Sequence, residues 1–158
     1  MRKRIVGPAP IHDQSTAPEG WLELERIATV EVTSENPDFT IESVFHASNG
    51  PGWRASGKGE QRIGIIFDQP ISLKRLYLRF VEPDLERTQE FSVSYSAEAG
   101  GPPKEILRQK WNFSPTGSTS EVEDLQVDLQ NVSALELTIK PDVARGDTFA
   151  TLAEWRLE

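Results

Sequence analysis

Gln61-Arg62-Ile63-Gly64-Ile65-Ile66-Phe67-Asp68-Gln69-Pro70-Ile71-Ser72-Leu73-Lys74-Arg75-Leu76-Tyr77-Leu78-Arg79-Phe80 decides the fold class. Ile63, Ile65 and Phe67 fall on one face of an extended chain. Further on, Leu76, Leu78 and Phe80 face one way while Arg75, Tyr77 and Arg79 face the other. Successive side chains of a strand point to opposite faces, so a period of two with one greasy and one polar face is the mark of a half-buried strand. Asp68-Gln69-Pro70 carries turn chemistry, which divides the stretch into two strands, 63–67 and 71–80.

The same alternation recurs outward from this stretch. In 22–32 the even positions are Leu22, Leu24, Arg26, Ala28, Val30 and Val32. Phe91, Val93 and Tyr95 alternate with serines. Leu125, Val127 and Leu129 alternate with Gln126 and Asp128, and Leu135, Leu137 and Ile139 with Glu136 and Thr138. The pattern returns in 152–157. Asn49-Gly50-Pro51-Gly52, Ala99-Gly100-Gly101-Pro102-Pro103, Ser114-Pro115-Thr116-Gly117 and Lys140-Pro141-Asp142 punctuate the runs. Short alternating strands separated by turns describe a sandwich or barrel. No segment sustains a 3.6-residue period between caps, although Ile41–Phe45 suits one helical turn. Residues 1–20 carry no periodicity and read as a tail before one domain over 21–158.

Composition narrows the function. Acids outnumber bases 25 to 17, for a formal net charge of -8. An acidic surface repels phosphate backbones and anionic lipids, so neither nucleic acid nor a membrane is an expected partner. The chain contains no cysteine, which excludes disulfides and thiolate metal sites. With His12 and His46 as the only histidines, a zinc site of the usual ligand types is not expected. Met1-Arg2-Lys3-Arg4 resembles the start of a signal peptide, but Gly7-Pro8-Ala9-Pro10 interrupts the apolar region that would have to follow. A cytoplasmic location is expected. No G-x-S-x-G elbow, P-loop or dinucleotide fingerprint is present, so no enzymatic activity is expected. Glu121-Val122-Glu123-Asp124 reads as a solvated edge that discourages sheet-to-sheet pairing.

The order of the motifs resembles the discoidin family, the coagulation-factor C-type domains with a galactose-binding-like fold. Ala28-Thr29-Val30-Glu31-Val32-Thr33-Ser34 is similar to the family's first strand and serine-rich turn. Trp53-Arg54-Ala55-Ser56 is similar to its tryptophan strand, and Gln61 to Ile71 to the strand and turn that follow. Phe91-Ser92-Val93-Ser94-Tyr95-Ser96 precedes a Gly-rich hairpin as it does in the family, and Ala153-Glu154-Trp155-Arg156-Leu157 resembles its closing strand. The resemblance covers 28–158 and implies an all-β, eight-stranded antiparallel jelly-roll β-sandwich, galactose-binding-like, with ligands meeting loops at one end.

Residue by residue, the resemblance implies more. An arginine between two middle strands and an aromatic before the last strand serve sugar binding in the carbohydrate-binding branch. Arg87, with Gln89 near it, and Phe149 fall at those places, and Arg145 and Asp147 share the loop with Phe149. Such a set offers donors and acceptors for hydroxyls and an apolar face for the C–H side of a ring. Glu154 matches a position that often contributes to a structural calcium site. Ser48 and Asn49 would join it, although His46 stands where the family offers an aspartate. Trp53 and Trp155 are expected in the core, Trp111 and Phe113 on one packed face, and Trp21 pinning the tail. The expected partner is a carbohydrate or glycoconjugate, and the alternative is another protein bound by the same sandwich.

Overall fold

The computed structural model describes residues 20–45, 50–98 and 101–158. A helical turn, α1 (Leu24–Ile27), leads into β1 (Ala28–Val32). A 3-10 turn follows at Ile41–Phe45, then β2 (Trp53–Lys58), β3 (Gln61–Val81), β4 (Arg87–Ser96), β5 (Lys104–Phe113), β6 (Ser120–Lys140), β7 (Phe149–Leu152) and β8 (Glu154–Leu157). Every strand pairing is antiparallel.

The stretch that decided the fold class is one strand, not two. β3 runs unbroken through Asp68-Gln69-Pro70 and pairs with β6 along its whole length, from Gln61↔Ile139 to Val81↔Ser120. Register shifts between Ile66 and Arg75 mark the middle of this ribbon. Pro70, which has no N–H to give a ladder, falls in that irregular zone. Opposite it, Asn131 adopts a left-handed backbone with φ 56°, a conformation asparagine tolerates better than most residues.

The ribbon is folded in half there. Phe91 of β4 pairs with Ile139, at the Gln61 end of the ribbon. Phe80 pairs with Glu121 near the other end. Laid straight, nineteen strand residues would separate Gln61 from Phe80 by about 60 Å. Yet the Phe80 and Phe91 ring centroids are 4.8 Å apart. The first half of β3 and the second half of β6 therefore form one layer with β1, β4 and β5, in the order β1-β3-β6-β4-β5. The other halves of β3 and β6, with β8 beside β3, form the facing layer. β2 and β7 make a separate pair at the side. This is the expected antiparallel β-sandwich, and the wide layer carries more strands than the narrow one.

Between the layers lies an apolar core that includes Trp53, Ile63, Ile65, Leu76, Leu78, Phe80, Phe91, Phe113 and Trp155. The Trp53 indole donates to Ser34 O at 3.2 Å. The alternation expected over 22–32 holds only from Ala28 onward. Leu24 and Ala28 are both buried, and their spacing of four suits a helical turn as well as a strand, so α1 forms where strand was expected. Trp21 lies edge-on to Tyr77, with centroids 6.3 Å apart, and the Arg75 guanidinium sits 4.7 Å from its ring. Leu22 N–H donates to Leu157 O at 2.8 Å, so the segment entering the domain is held against β3 and β8.

Candidate functional site

The folded ribbon brings the 82–86, 114–119 and 141–148 loops to one end of the sandwich, beside the Gly59-Glu60 turn. Backbone bonds tie them together. Glu82 N–H donates to Thr119 O at 2.8 Å, Val143 N–H to Thr88 O at 2.8 Å, and Gly59 N–H to Thr148 O at 2.9 Å.

Arg87 sits beneath these loops and not on them. Its side chain has no exposed surface. Nε donates to Glu82 Oε1 at 2.8 Å. Nη1 donates to Pro141 O at 2.7 Å and to Gln89 Oε1 at 3.2 Å. Nη2 reaches Thr151 Oγ1 at 3.4 Å, and the guanidinium lies 4.9 Å from the Phe113 ring centroid. The other oxygen of Glu82 accepts the N–H groups of Asp84 and Leu85 at 3.1 and 3.2 Å. One buried cation thus holds the start of the 82–86 loop, the start of the 141–148 loop and, through Thr151, the strand β7 that follows it. A guanidinium buried without such partners would be very costly, so this pairing keeps it inside.

Arg87 and Gln89 were expected to meet a ligand, and their burial corrects that placement. Gln89 is fully buried, and its amide nitrogen donates to Glu121 Oε1 at 3.4 Å. Both side chains spend their polar atoms on other residues and position the loops that a ligand would touch. Phe149 and Arg145 stand where solvent reaches them, Phe149 at 39% exposure. Phe149 opens β7 and pairs across to the exposed Lys58.

Sequence reasoning did not single out Leu85 and Val143, exposed apolar side chains on the adjoining loops. The only local signal is an apolar residue set among acids, as in Asp84-Leu85-Glu86. Trp111 and Phe113 were expected on one packed face. Phe113 is buried, but Trp111 is 37% exposed at the sandwich edge, its indole N–H donating to Ser118 Oγ at 3.0 Å. This end therefore offers exposed aromatic edges, cationic donors at Arg145 and Lys58, and carboxylate acceptors at Asp142 and Asp147.

Of the residues expected around calcium, Glu154 is the one described. Glu154 Oε1 accepts from Arg79 Nε at 3.1 Å, and Oε2 lies 3.3 Å from Arg156 Nε. Two guanidiniums compete with any cation for this carboxylate. Ser48 and Asn49, the other expected ligands, and His46 lie outside the described residues, as does His12. Among the described residues no group of three or more histidine, aspartate or glutamate side chains is placed to hold a metal.

Glu121 also corrects an expectation. The acidic run reads as a solvated edge, yet Glu121 is buried while its neighbour Val122 is 50% exposed. Burial pushes the Glu121 carboxyl up to about 7, and the Glu123 carboxyl on the same face adds to the shift. The folded protein therefore holds this proton more tightly than the unfolded chain, where the ordinary value is 4.5. The stabilisation is fully present below pH 4.5 and is lost as pH rises through about 7. Glu121→Gln, which mimics the protonated form, should match the wild type at pH 4 and exceed it at pH 8 by about 1–3 kcal/mol. That difference reads as a midpoint several degrees higher in thermal unfolding at pH 8. Equal midpoints at pH 8 would mean that the carboxyl is not held in this way.

No family model and no curated protein matches the sequence. Solved structures do match the fold. A CBM32 module of Clostridium perfringens, CpGH89CBM32-5, solved with GalNAc-β-1,3-galactose, superposes with a TM-score of 0.63 at 15% identity, covering 87% of this chain and 99% of that one. CBM32-3, from a family 31 glycoside hydrolase of the same organism, gives 0.61 at 14% identity over 92% and 98%. The Ruminococcus gnavus GH29 fucosidase gives 0.60 at 12% identity over 84% of this chain but only 25% of its own. The chain thus spans a quarter of the fucosidase and nearly the whole of the separate modules. At these identities the likeness establishes the fold, and it agrees with the galactose-binding-like sandwich that the discoidin resemblance implies.

Proposed function

We propose that the protein is a non-catalytic carbohydrate-binding module whose ligand meets the loop end of the sandwich at Phe149 and Arg145. The observation that carries this reading is an exposed aromatic at the start of β7, next to the 141–148 loop that buried Arg87 anchors at Pro141 while it also reaches Thr151 within β7. A sugar ring needs an apolar surface for its C–H face and charged or polar groups for its hydroxyls, held rigidly enough that binding does not have to order them. Phe149 supplies the first and Arg145, with Lys58 across the strand pair, the second. Modules of the same fold carry galactose and GalNAc-β-1,3-galactose in their solved complexes, which supports the ligand class.

Single-site sugar binding of this kind is expected to be weak, at about millimolar Kd, or ~4 kcal/mol. Galactose and N-acetylgalactosamine at ~100 times Kd should stabilise the fold by ~2.7 kcal/mol and raise the melting midpoint by several degrees. Phe149→Ala should keep the unliganded midpoint within about 1 °C or 2 °C, since the ring is largely exposed, and should abolish the rise with sugar. A variant that still responds as the wild type does would remove Phe149 from the site. A flat response across monosaccharides in the wild type would favour a protein partner.

A further inference from the structure

One side of the sandwich is stepped, and both layers end there in a strand edge. The wide layer ends at β5, which pairs with β4. The narrow layer ends at the first half of β6. β4 covers β6 over residues 134–140, so among the described residues the 120–130 half is paired along its β3 side alone. Gln89 of β4 donates to Glu121 of this half across the core. The narrow layer therefore ends above β4, and β5 projects one strand further, by about 5 Å.

The two edges match face by face. Cross-strand partners share a face of their sheet. Leu107 and Trp111 stand opposite Val93 and Gln89, so they point inward, over the step. Leu125, Val127 and Leu129 share the inward face of β6 with Glu121. Leu107, Leu125, Val127 and Leu129 are half-buried and Trp111 is 37% exposed, an apolar lining that the two layers leave incompletely covered. The outward faces carry opposite charge. Arg108 and Lys110 stand exposed on β5, and Asp124 and Asp128 on β6. Free edges invite another strand, and a charged edge repels its own kind while attracting the opposite sign.

Strand direction agrees as well. β5 and the second half of β6 both run antiparallel to β4. Because the ribbon is folded in half, the first half of β6 runs the other way, antiparallel to β5. A two-fold axis along the strands turns a second copy's layers over. The β5 edge of each copy then meets the β6 edge of the other, antiparallel and with the steps interlocked. We infer that this side is the interface with a second copy of the chain, made of two β5–β6 pairings that extend both layers across the dimer. Such an interface is isologous and closes at two subunits. Outward faces stay outward, so Arg108 and Lys110 adjoin the partner's acidic row, and apolar lining adjoins apolar lining. Pairing β5 with β5 would instead set Arg108 and Lys110 against their own copies and leave the narrow-layer edges uncovered. With the axis along the strands, both loop ends face the same way. Two sugar sites on one surface would bind with avidity, a consequence that rests on the proposed function, whereas the dimer does not.

The test is sedimentation equilibrium of the full chain without sugar. The mass should rise from one chain toward two between about 1 µM and 1 mM. Arg108→Glu with Lys110→Glu makes both edges acidic, and Asp124→Lys with Asp128→Lys makes both basic. These positions are exposed, so each doubly substituted chain should keep the wild-type far-UV spectrum and a cooperative melt. Each should self-associate at least about tenfold more weakly than the wild type. Mixed in equal amounts, the two should dimerise as the wild type does, because both pairings of the mixed dimer again join opposite charges. Asp128→Lys alone, which leaves the Arg75–Asp124 pair intact, should weaken the dimer in the same direction to a smaller extent. Any of three results would overturn the inference: a single-chain mass up to about 1 mM, aspartate variants that dimerise as the wild type does, or a mixture no more associated than its parts.

Discussion

Arg87→Ala should lower the unfolding free energy by about 3–5 kcal/mol, with a thermal midpoint falling by roughly 10 °C or more. The loss comes less from missing attraction than from what is left behind. Glu82 would remain largely buried without its cation, and Pro141 O and Gln89 Oε1 would lose their donor. Unsatisfied groups in a dry site cost more than the net gain of the bond that served them. Arg87→Lys keeps the charge but cannot reach Glu82, Gln89, Pro141 and Thr151 at once, so it should recover only part of the loss. Arg145→Ala, on an exposed loop, should stay within ±0.5 kcal/mol. Denaturant unfolding with unchanged slope checks all three. A loss below about 1 kcal/mol for Arg87→Ala would mean that the cluster is not the tie between the two loops.

Phe80→Ala should cost about 3–5 kcal/mol, because a fully buried ring leaves a cavity the sheets cannot close. Phe80 matters beyond its volume, since its contact with Phe91 joins opposite ends of the folded ribbon. A double-mutant cycle with Phe91→Ala should return a coupling of about 0.5–1.5 kcal/mol for the ring pair. Strict additivity would show that the two layers do not meet there.

The strands were legible because one face of each is dry, and burial imposes period two directly on residue type. The bend was less legible. In β3 the inward residues are odd-numbered through Ile63, Ile65 and Phe67 and even-numbered through Leu76, Leu78 and Phe80. That change of parity records an inserted residue within a continuous strand, while Asp68-Gln69-Pro70 suggests a break. The roles of Arg87, Gln89 and Glu121 were not legible. A polar side chain reads as exposed unless its partners are known, and those of Arg87 include Pro141 and Thr151, 54 and 64 residues away. Glu121 and Glu123 share a face, but an acidic run gives no hint that this face turns inward and Val122 outward. Phe149 and Arg145 were named by resemblance alone, and the structure shows that both are exposed.

Amide shifts of the labelled protein during a galactose titration test the central proposal most directly. The account predicts saturable shifts concentrated in residues 82–86 and 141–149 and absent from Phe149→Ala. Saturable binding that leaves those loops unmoved, or no shift up to tens of millimolar galactose and N-acetylgalactosamine, would contradict it.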